Sequence, residues 1–95
     1  MSYAYVIGHI TVKDPARWAD YRRQVPNTLA PWGGELVFRG ERLTDLAGQQ
    51  PHGDVVVIRF PDPAALAAWH ASPAYQALIP LRTAAADVVL TSYGT

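Results

Sequence analysis

The chain has no cysteine among its 95 residues, a single methionine and no long apolar run. Without cysteine it can form no disulfide, no thiolate nucleophile and no cysteine-based zinc site. Its apolar runs are far shorter than the roughly 20 residues that a membrane-spanning helix needs. Its first residues lack the basic and apolar regions of a secretory signal peptide. We therefore expect a cytoplasmic protein that has no membrane partner.

The chain also lacks an excess of charge of either sign, since eight acidic residues balance eight basic ones. A neutral chain with scattered arginines has no basic patch of the kind that binds nucleic acid. Apolar residues are plentiful, at 49% of the sequence, which is typical of a globular protein. We expect residues 1–95 to form a single domain. A domain of this size buries a small core and gains stability by associating.

Four segments show the β-branched and aromatic composition of strands. They cover residues 3–12, 35–39, 54–60 and 87–93, and a long glycine- and proline-containing loop is predicted over residues 40–53. Alternation in the first strand gives one small apolar face, made of Ala4, Val6, Gly8, Ile10 and Val12. The opposite face is mixed and carries Tyr3, Tyr5, Ile7, His9 and Thr11.

Each predicted helix begins with a capping residue followed by proline, the combination preferred at a helix N-terminus. The first helix begins at Asp14-Pro15 and has an apolar stripe of Trp18, Tyr21 and Val25; Pro26 is expected to end or kink it. The second repeats the Asp-Pro-Ala motif and runs from Pro63 to Ala71. Ser72-Pro73 then restarts it, and a second stop is expected within residues 70–82.

The resulting order, β-α-β-β-α-β, predicts a ferredoxin-like α+β fold with a four-stranded antiparallel sheet and both helices on one face. The other face would carry apolar residues from several strands: Tyr3, Tyr5, Ile7, Val37, Val55, Val57 and Val89 or its neighbours. A patch of this kind is too apolar to remain exposed. We therefore expect a homodimer in which the two sheets face each other.

The sequence resembles the domain-of-unknown-function family 1330 (DUF 1330) of the dimeric α+β barrel superfamily. The most specific matching stretch is Ser72-Pro73-Ala74-Tyr75-Gln76 followed by Pro80-Leu81-Arg82; the other stretches are Tyr5-Val6-Ile7, Asp14-Pro15, Val25-Pro26, Gly33-Gly34, Val37-Phe38-Arg39-Gly40 and Phe60-Pro61. The chain departs from the family pattern at Arg59, where a glutamate is usual, and at His70, where a tyrosine is usual.

The resemblance implies the fold and the dimer, and places any pocket between sheet and helices. The superfamily includes cofactor-independent oxygenases, isomerases and haem-binding members, while this family has no general activity. The expected function is an uncharacterised homodimer that binds a small aromatic or carboxylated molecule, with a cofactor-independent oxygenase or isomerase as the enzymatic form. The alternatives are a ligand-binding or accessory protein without catalysis, and a purely structural dimer without a pocket.

The three histidines, His9, His52 and His70, do not have the spacing of metal ligands, so we expect no metal site and no cofactor. His9 and His70 remain candidates for ligand binding or proton transfer. Tyr75 is a candidate proton donor, with ring packing as the simpler interpretation. Arg82 is either a pocket cation or a cation near a helix C-terminus, where it complements the dipole.

Arg39 and Arg59 are expected on adjacent central strands and on the mixed face of the sheet. A buried arginine needs a partner, because an unpaired buried charge is costly. One interpretation is a dimer-interface ion pair with Glu35 of either chain. The other is an anion clamp that binds the carboxylate of a small molecule. The ion pair is the simpler of the two.

Overall fold

The computed structural model describes residues 2–95, in which the strands and helical segments follow the predicted β-α-β-β-α-β order. The strands are β1 (Ala4–Val12), β2 (Glu35–Glu41), β3 (Asp54–Phe60) and β4 (Ala86–Gly94). The helices are α1 (Pro15–Leu29), α2 (Pro63–Ala71), α3 (Pro73–Gln76) and α4 (Ile79–Ala85), with a 3₁₀ turn, Ala30–Trp32, after α1. No helix within residues 2–95 is long and apolar enough to cross a membrane.

The four strands form one antiparallel sheet in the order β2-β3-β1-β4. Even-numbered residues of β1 and β3, among them Val6, Ile10, Val56 and Phe60, are buried beneath the helices, whereas Val12 and Asp54 at the strand ends are half-buried. The odd-numbered residues line the opposite face, which no helix covers. The ferredoxin-like α+β topology and the split of β1 into two faces are therefore confirmed.

Helix starts follow the predicted capping chemistry closely. The carboxylate of Asp14 accepts a hydrogen bond from Arg17 N at 3.2 Å, and that of Asp62 accepts one from Ala65 N at 2.7 Å. The Ser72 hydroxyl accepts one from Tyr75 N at 3.3 Å, which restarts the helical chain after α2. Each bond satisfies a backbone donor that the helix itself leaves unpaired.

Of the two outcomes predicted for Pro26, an end or a kink of the helix, the first is wrong, since α1 continues to Leu29. Pro26 lies on the exposed side of the helix, whereas Val25 and Leu29 are buried against the core. A proline inside a helix costs about 3 kcal/mol. Burying an aliphatic side chain stabilises by about 1.5–3 kcal/mol, so the two buried residues offset the missing hydrogen bond.

A β-bulge in β2 changes which side of the sheet its residues face, so the faces predicted by simple alternation are wrong for this strand. Leu36 pairs with Ile58 and Phe38 pairs with Val57, so the register shifts at the residue between them. Leu36 and Phe38 therefore face opposite sides of the sheet, although simple alternation places them together. The shift also moves Arg39 opposite Val56, on the helix-covered face, whereas the sequence places Arg39 on the mixed face.

Helical structure continues further after α3 than the sequence predicts. The helical chain is interrupted after Gln76, but α4 then begins at Ile79 with Pro80 in its first turn and extends to Ala85. Proline is tolerated there because a first-turn residue needs no backbone N–H. The carbonyl of Ala85 accepts hydrogen bonds from Lys13 N and Asp14 N at 2.8 and 2.9 Å, and these bonds attach α4 to the start of α1.

Candidate functional site

Three polar side chains form a hydrogen-bonded chain that runs from the core to the half-buried Arg82. The hydroxyls of Tyr21 and Tyr75 lie 2.9 Å apart, and Arg82 Nη1 donates to the Tyr75 hydroxyl at 2.9 Å. Tyr75 is completely buried and Tyr21 nearly so. The hydrogen bonds connect α1 to α3 and α4, although Tyr21 and Tyr75 are 54 residues apart in the sequence.

Aromatic packing fixes the positions of both hydroxyls. Tyr21 stacks on Trp18, one helical turn earlier, with ring centroids 5.1 Å apart, and Tyr75 packs on Trp69 at 4.3 Å. The indole N–H of Trp69 donates to the Thr28 hydroxyl at 3.0 Å. Aromatic pairs at these distances have few alternative arrangements in a close-packed core, so the hydroxyls are preorganised.

One hydroxyl proton of the Tyr21–Tyr75 pair has no acceptor among residues 2–95. A tyrosine hydroxyl donates one hydrogen bond and accepts others, whereas a guanidinium only donates. Arg82 supplies the proton for its own bond to Tyr75, and a single hydroxyl proton occupies the bond between the tyrosines. Whichever tyrosine donates, the second hydroxyl proton has no acceptor among the hydrogen bonds of residues 2–95. It is free to bond to a ligand oxygen.

Burial raises the pKa of the Tyr21 hydroxyl above its ordinary value of 10.0. The neighbouring Tyr75 raises it further, while the positive charges of Arg82 and Arg39 act in the opposite direction. Desolvation disfavours the phenolate more than the two cations favour it. Tyr21 therefore keeps its proton at neutral pH, which makes it a hydrogen-bond donor and not a base.

A small cavity of about 30 Å³, lined by Tyr21 and Tyr75 among other residues, lies between α1 and the helix-covered face of the sheet. This volume holds one or two atoms the size of a water oxygen. A groove of about 310 Å³ adjoins it at the side of β2 and β3. Four residues line both spaces and mark their junction: Ile10, Trp18, Arg22 and Arg39.

The structure separates the six candidate residues identified in the sequence. Tyr75 and Arg82 are hydrogen-bonded to each other, and Arg39 lines the same cavity from the sheet side. Arg82 lies in the last turn of α4, so its position also fits a cation at a helix C-terminus. These three residues belong to one site.

His70, His9 and Arg59 lie elsewhere. His70 is exposed at a separate cleft of about 340 Å³ between α2 and β4, and only its ring approaches Tyr75, at 5.6 Å between centroids. His9 lies on the uncovered face, in an open cleft of about 630 Å³ beneath the loop of residues 42–53. Neither histidine reaches the tyrosine hydroxyls.

Arg59 is held on the uncovered face by residues of its own chain. Its Nη2 donates to Glu35 Oε2 at 2.9 Å, and its guanidinium lies 4.6 Å from the ring centroid of Tyr3. The hydrogen bond to Glu35 raises the pKa of the Arg59 guanidinium. The Glu35 partner proposed from the sequence is thus present within one chain. The prediction that Arg39 lies on a central strand is wrong, because β2, which carries both Glu35 and Arg39, is an edge strand of the sheet.

Sequence reasoning missed Tyr21 and Arg22 as members of the site. Tyr21 falls on the apolar stripe of α1, where it reads as a packing residue. The available signal was its hydroxyl, because a tyrosine in a buried stripe needs a hydrogen-bond partner. Arg22 carries no comparable signal. Among residues 2–95, no group of three or more histidine, aspartate and glutamate side chains is placed to hold a metal ion.

Solved structures share this fold across nearly the whole chain. A protein of unknown function from Rhodopseudomonas palustris superposes with a TM-score of 0.81 at 20% identity, covering 97% of this chain and 81% of that one. A dimeric ferredoxin-like protein of unknown function from Jannaschia sp. CCS1 gives 0.76 at 14% identity, with 96% and 97% covered. SnoaB, a cofactor-independent oxygenase from Streptomyces nogalater, gives 0.71 at 15% identity, with 98% and 92% covered.

These identities are low enough that the likeness establishes the fold alone. No curated protein matches the sequence. The family model described as "Domain of unknown function (DUF1330)" matches residues 3–92 and confirms the resemblance found in the sequence. The chain therefore belongs to the DUF1330 family.

Proposed function

We propose that this protein is a homodimeric, cytoplasmic, single-domain protein that binds a small aromatic or carboxylated molecule in the groove and cavity beside α1. The observation that carries the proposal is that the cavity is lined by the Tyr21–Tyr75 pair, one of whose hydroxyl protons has no acceptor among residues 2–95. A binding pocket typically combines apolar walls with a few convergent polar groups. This site has aromatic walls, one free hydroxyl donor and two flanking guanidinium groups.

The enzymatic form of this proposal is a cofactor-independent isomerase or oxygenase. Both reactions pass through a substrate anion whose negative oxygen needs donors that are already in place. The tyrosine pair supplies the donor, and Arg82 stabilises the negative charge that develops across the hydrogen-bonded chain. A substrate lying in the groove would reach the pair with a single carbonyl or enol oxygen, which is what the cavity has room for.

We propose that the dimer forms through the uncovered face of the sheet. Large apolar side chains on this face are about half exposed: Tyr3 at 44%, Val89 at 48%, Phe38 at 51% and Tyr93 at 51%. Exposed apolar surface of this extent is a feature of association sites. Two solved relatives are described as dimeric ferredoxin-like proteins, which supports the same assembly here.

The second candidate function is a structural or accessory dimer without a ligand. The small volume of the cavity favours it, because about 30 Å³ admits water and no larger molecule unless the ligand body occupies the groove. Under this alternative the tyrosine pair and Arg82 serve only to connect three helices. The two candidates therefore differ in whether the hydroxyl pair contributes to binding.

Titration with 4-nitrophenol tests the proposal, since the absorbance of this phenol reports its ionisation. We expect the wild-type protein to bind it with its oxygen at the tyrosine pair and to favour the phenolate form. Tyr21→Phe and Tyr75→Phe should each weaken binding about tenfold, the loss of one hydrogen bond to a charged group. Tyr93→Phe, on the uncovered face, is the matched control and should bind as the wild type does. Equal binding by all four proteins, or none by any, would favour the structural alternative.

A further inference from the structure

Five of the eight basic side chains form ion pairs within residues 2–95, and the remaining three cluster at one place. The five pairs are Lys13–Asp87, Arg17–Asp14, Arg23–Asp20, Arg42–Asp45 and Arg59–Glu35. Arg22, Arg39 and Arg82 form no ion pair within those residues. Arg22 and Arg39 line both the groove and the cavity, and Arg82 donates to Tyr75 beside the cavity.

Arg22 and Arg39 approach the junction from opposite walls, one from α1 and the other from β2. Burial lowers the pKa of the Arg39 guanidinium, and the positive charge of Arg22 lowers it further. Two like charges facing one space repel each other, and a bound anion would relieve this repulsion. Their guanidinium groups also offer several donors in the planar arrangement that matches a carboxylate.

Acidic residues line the groove but not the cavity. Glu41 and Asp54 contribute to the groove but not to the cavity, and neither lies within ion-pair distance of Arg22 or Arg39. Asp54 partly compensates the charge of Arg39 from a distance. The junction itself is therefore positive, with the apolar side chains of Ile10 and Trp18 beside it.

We propose that Arg22 and Arg39 bind the carboxylate of a small aromatic acid, whose ring lies in the groove against Trp18 and Ile10. This assignment rests on the proposed function, because it names the class of molecule that the same site takes. The groove, at about 310 Å³, is large enough for one substituted benzene ring, at the low end of the volumes of ligand pockets. A side group on the ring would extend into the cavity toward the tyrosine hydroxyls.

Calorimetric titration with benzoate and with benzamide tests the assignment, because the two differ mainly in charge. We expect the wild-type protein to bind benzoate at least about tenfold more tightly than benzamide at low salt. Arg22→Gln and Arg39→Gln should each abolish most of this preference. Arg23→Gln is the matched control, since Arg23 lies on the same helix as Arg22 but is paired with Asp20 and lines neither the groove nor the cavity. Circular dichroism of each variant shows whether the fold is retained, and Arg39→Lys should keep part of the preference.

Equal binding of benzoate and benzamide by the wild type would overturn the carboxylate assignment and leave the tyrosine site intact. Retention of the preference in both Arg22→Gln and Arg39→Gln would overturn it as well, by placing the anion elsewhere. If neither benzoate nor 4-nitrophenol binds, the proposed function fails together with this inference. If 4-nitrophenol binds and benzoate does not, only the inference fails.

Discussion

The hydroxyls of Tyr21 and Tyr75 lie 2.9 Å apart in the core, although 54 residues separate them in the sequence. Because Arg82 also donates to Tyr75, the two tyrosines occupy different positions in the network. Tyr75 has two polar partners and is fully buried, whereas Tyr21 has one. This asymmetry has consequences for stability that can be measured.

We predict that Tyr75→Phe destabilises the protein more than Tyr21→Phe. Removing the Tyr75 hydroxyl leaves both Arg82 Nη1 and the Tyr21 hydroxyl without this partner, at a cost of about 1–3 kcal/mol. Removing the Tyr21 hydroxyl leaves the bond between Arg82 and Tyr75 in place and costs about 1 kcal/mol. Urea unfolding of the two variants measures both values. The reverse order would show that the bond from Arg82 contributes little.

Alkaline pH should destabilise the wild type more steeply than Tyr21→Phe. The pKa of Tyr21 is raised in the folded protein, so above pH 10 the unfolded chain releases this proton and the folded chain keeps it. The unfolded state then binds fewer protons, and the free energy of unfolding falls as pH rises, by up to about 1.4 kcal/mol per pH unit. Below pH 10 the contribution is constant. If the free energies of unfolding of the two proteins fell in parallel between pH 9 and about pH 11.5, the raised pKa of Tyr21 would be contradicted.

Thr28→Val should destabilise the core by about 1–3 kcal/mol despite its nearly unchanged shape. The indole N–H of Trp69, a residue only 1% exposed, donates to the Thr28 hydroxyl and would lose its partner. Thermal unfolding measures the effect. Thr83→Val, at an exposed position of α4, provides the comparison and should change stability by no more than about 0.5 kcal/mol. An equally small effect at both positions would mean that water replaces the Thr28 hydroxyl as the acceptor of the Trp69 indole N–H.

A charge on the uncovered face should dissociate the proposed dimer. Phe38 and Val89 are about half exposed on this face, and aspartate at either position would be buried without a partner between two sheets. We expect Phe38→Asp and Val89→Asp to sediment as monomers at concentrations where the wild type is a dimer. Ala64→Asp, on the exposed side of α2, should remain dimeric. A wild-type monomer, or dimeric variants, would place the interface elsewhere or remove it.

The features that the sequence predicts well depend on neighbouring residues. Asp14, Asp62 and Ser72 cap helices through bonds to backbone groups three residues away, so the residue and its position suffice to identify them. The two faces of β1 follow from simple alternation in a strand without a bulge. Topology then follows from the order of the elements.

The features that the sequence does not predict depend on tertiary packing. The bulge in β2 changes which face Arg39 occupies, and nothing in Leu36-Val37-Phe38 signals the shift. The persistence of α1 beyond Pro26 depends on the burial of Val25 and Leu29. The partner of Tyr75 is equally a product of the fold, because Tyr21 reaches it only when α1 packs against α3.

Nuclear magnetic resonance of the three tryptophan indole N–H groups during titration with 4-nitrophenol tests the central claim most directly. Trp18 lines the groove and the cavity, Trp69 lines the cavity, and Trp32 lines neither. A ligand at the tyrosine pair should shift the Trp18 and Trp69 signals in a saturable manner and leave the Trp32 signal in place. Absence of any shift at saturating 4-nitrophenol, or a shift confined to Trp32, would contradict a binding site beside Tyr21 and Tyr75.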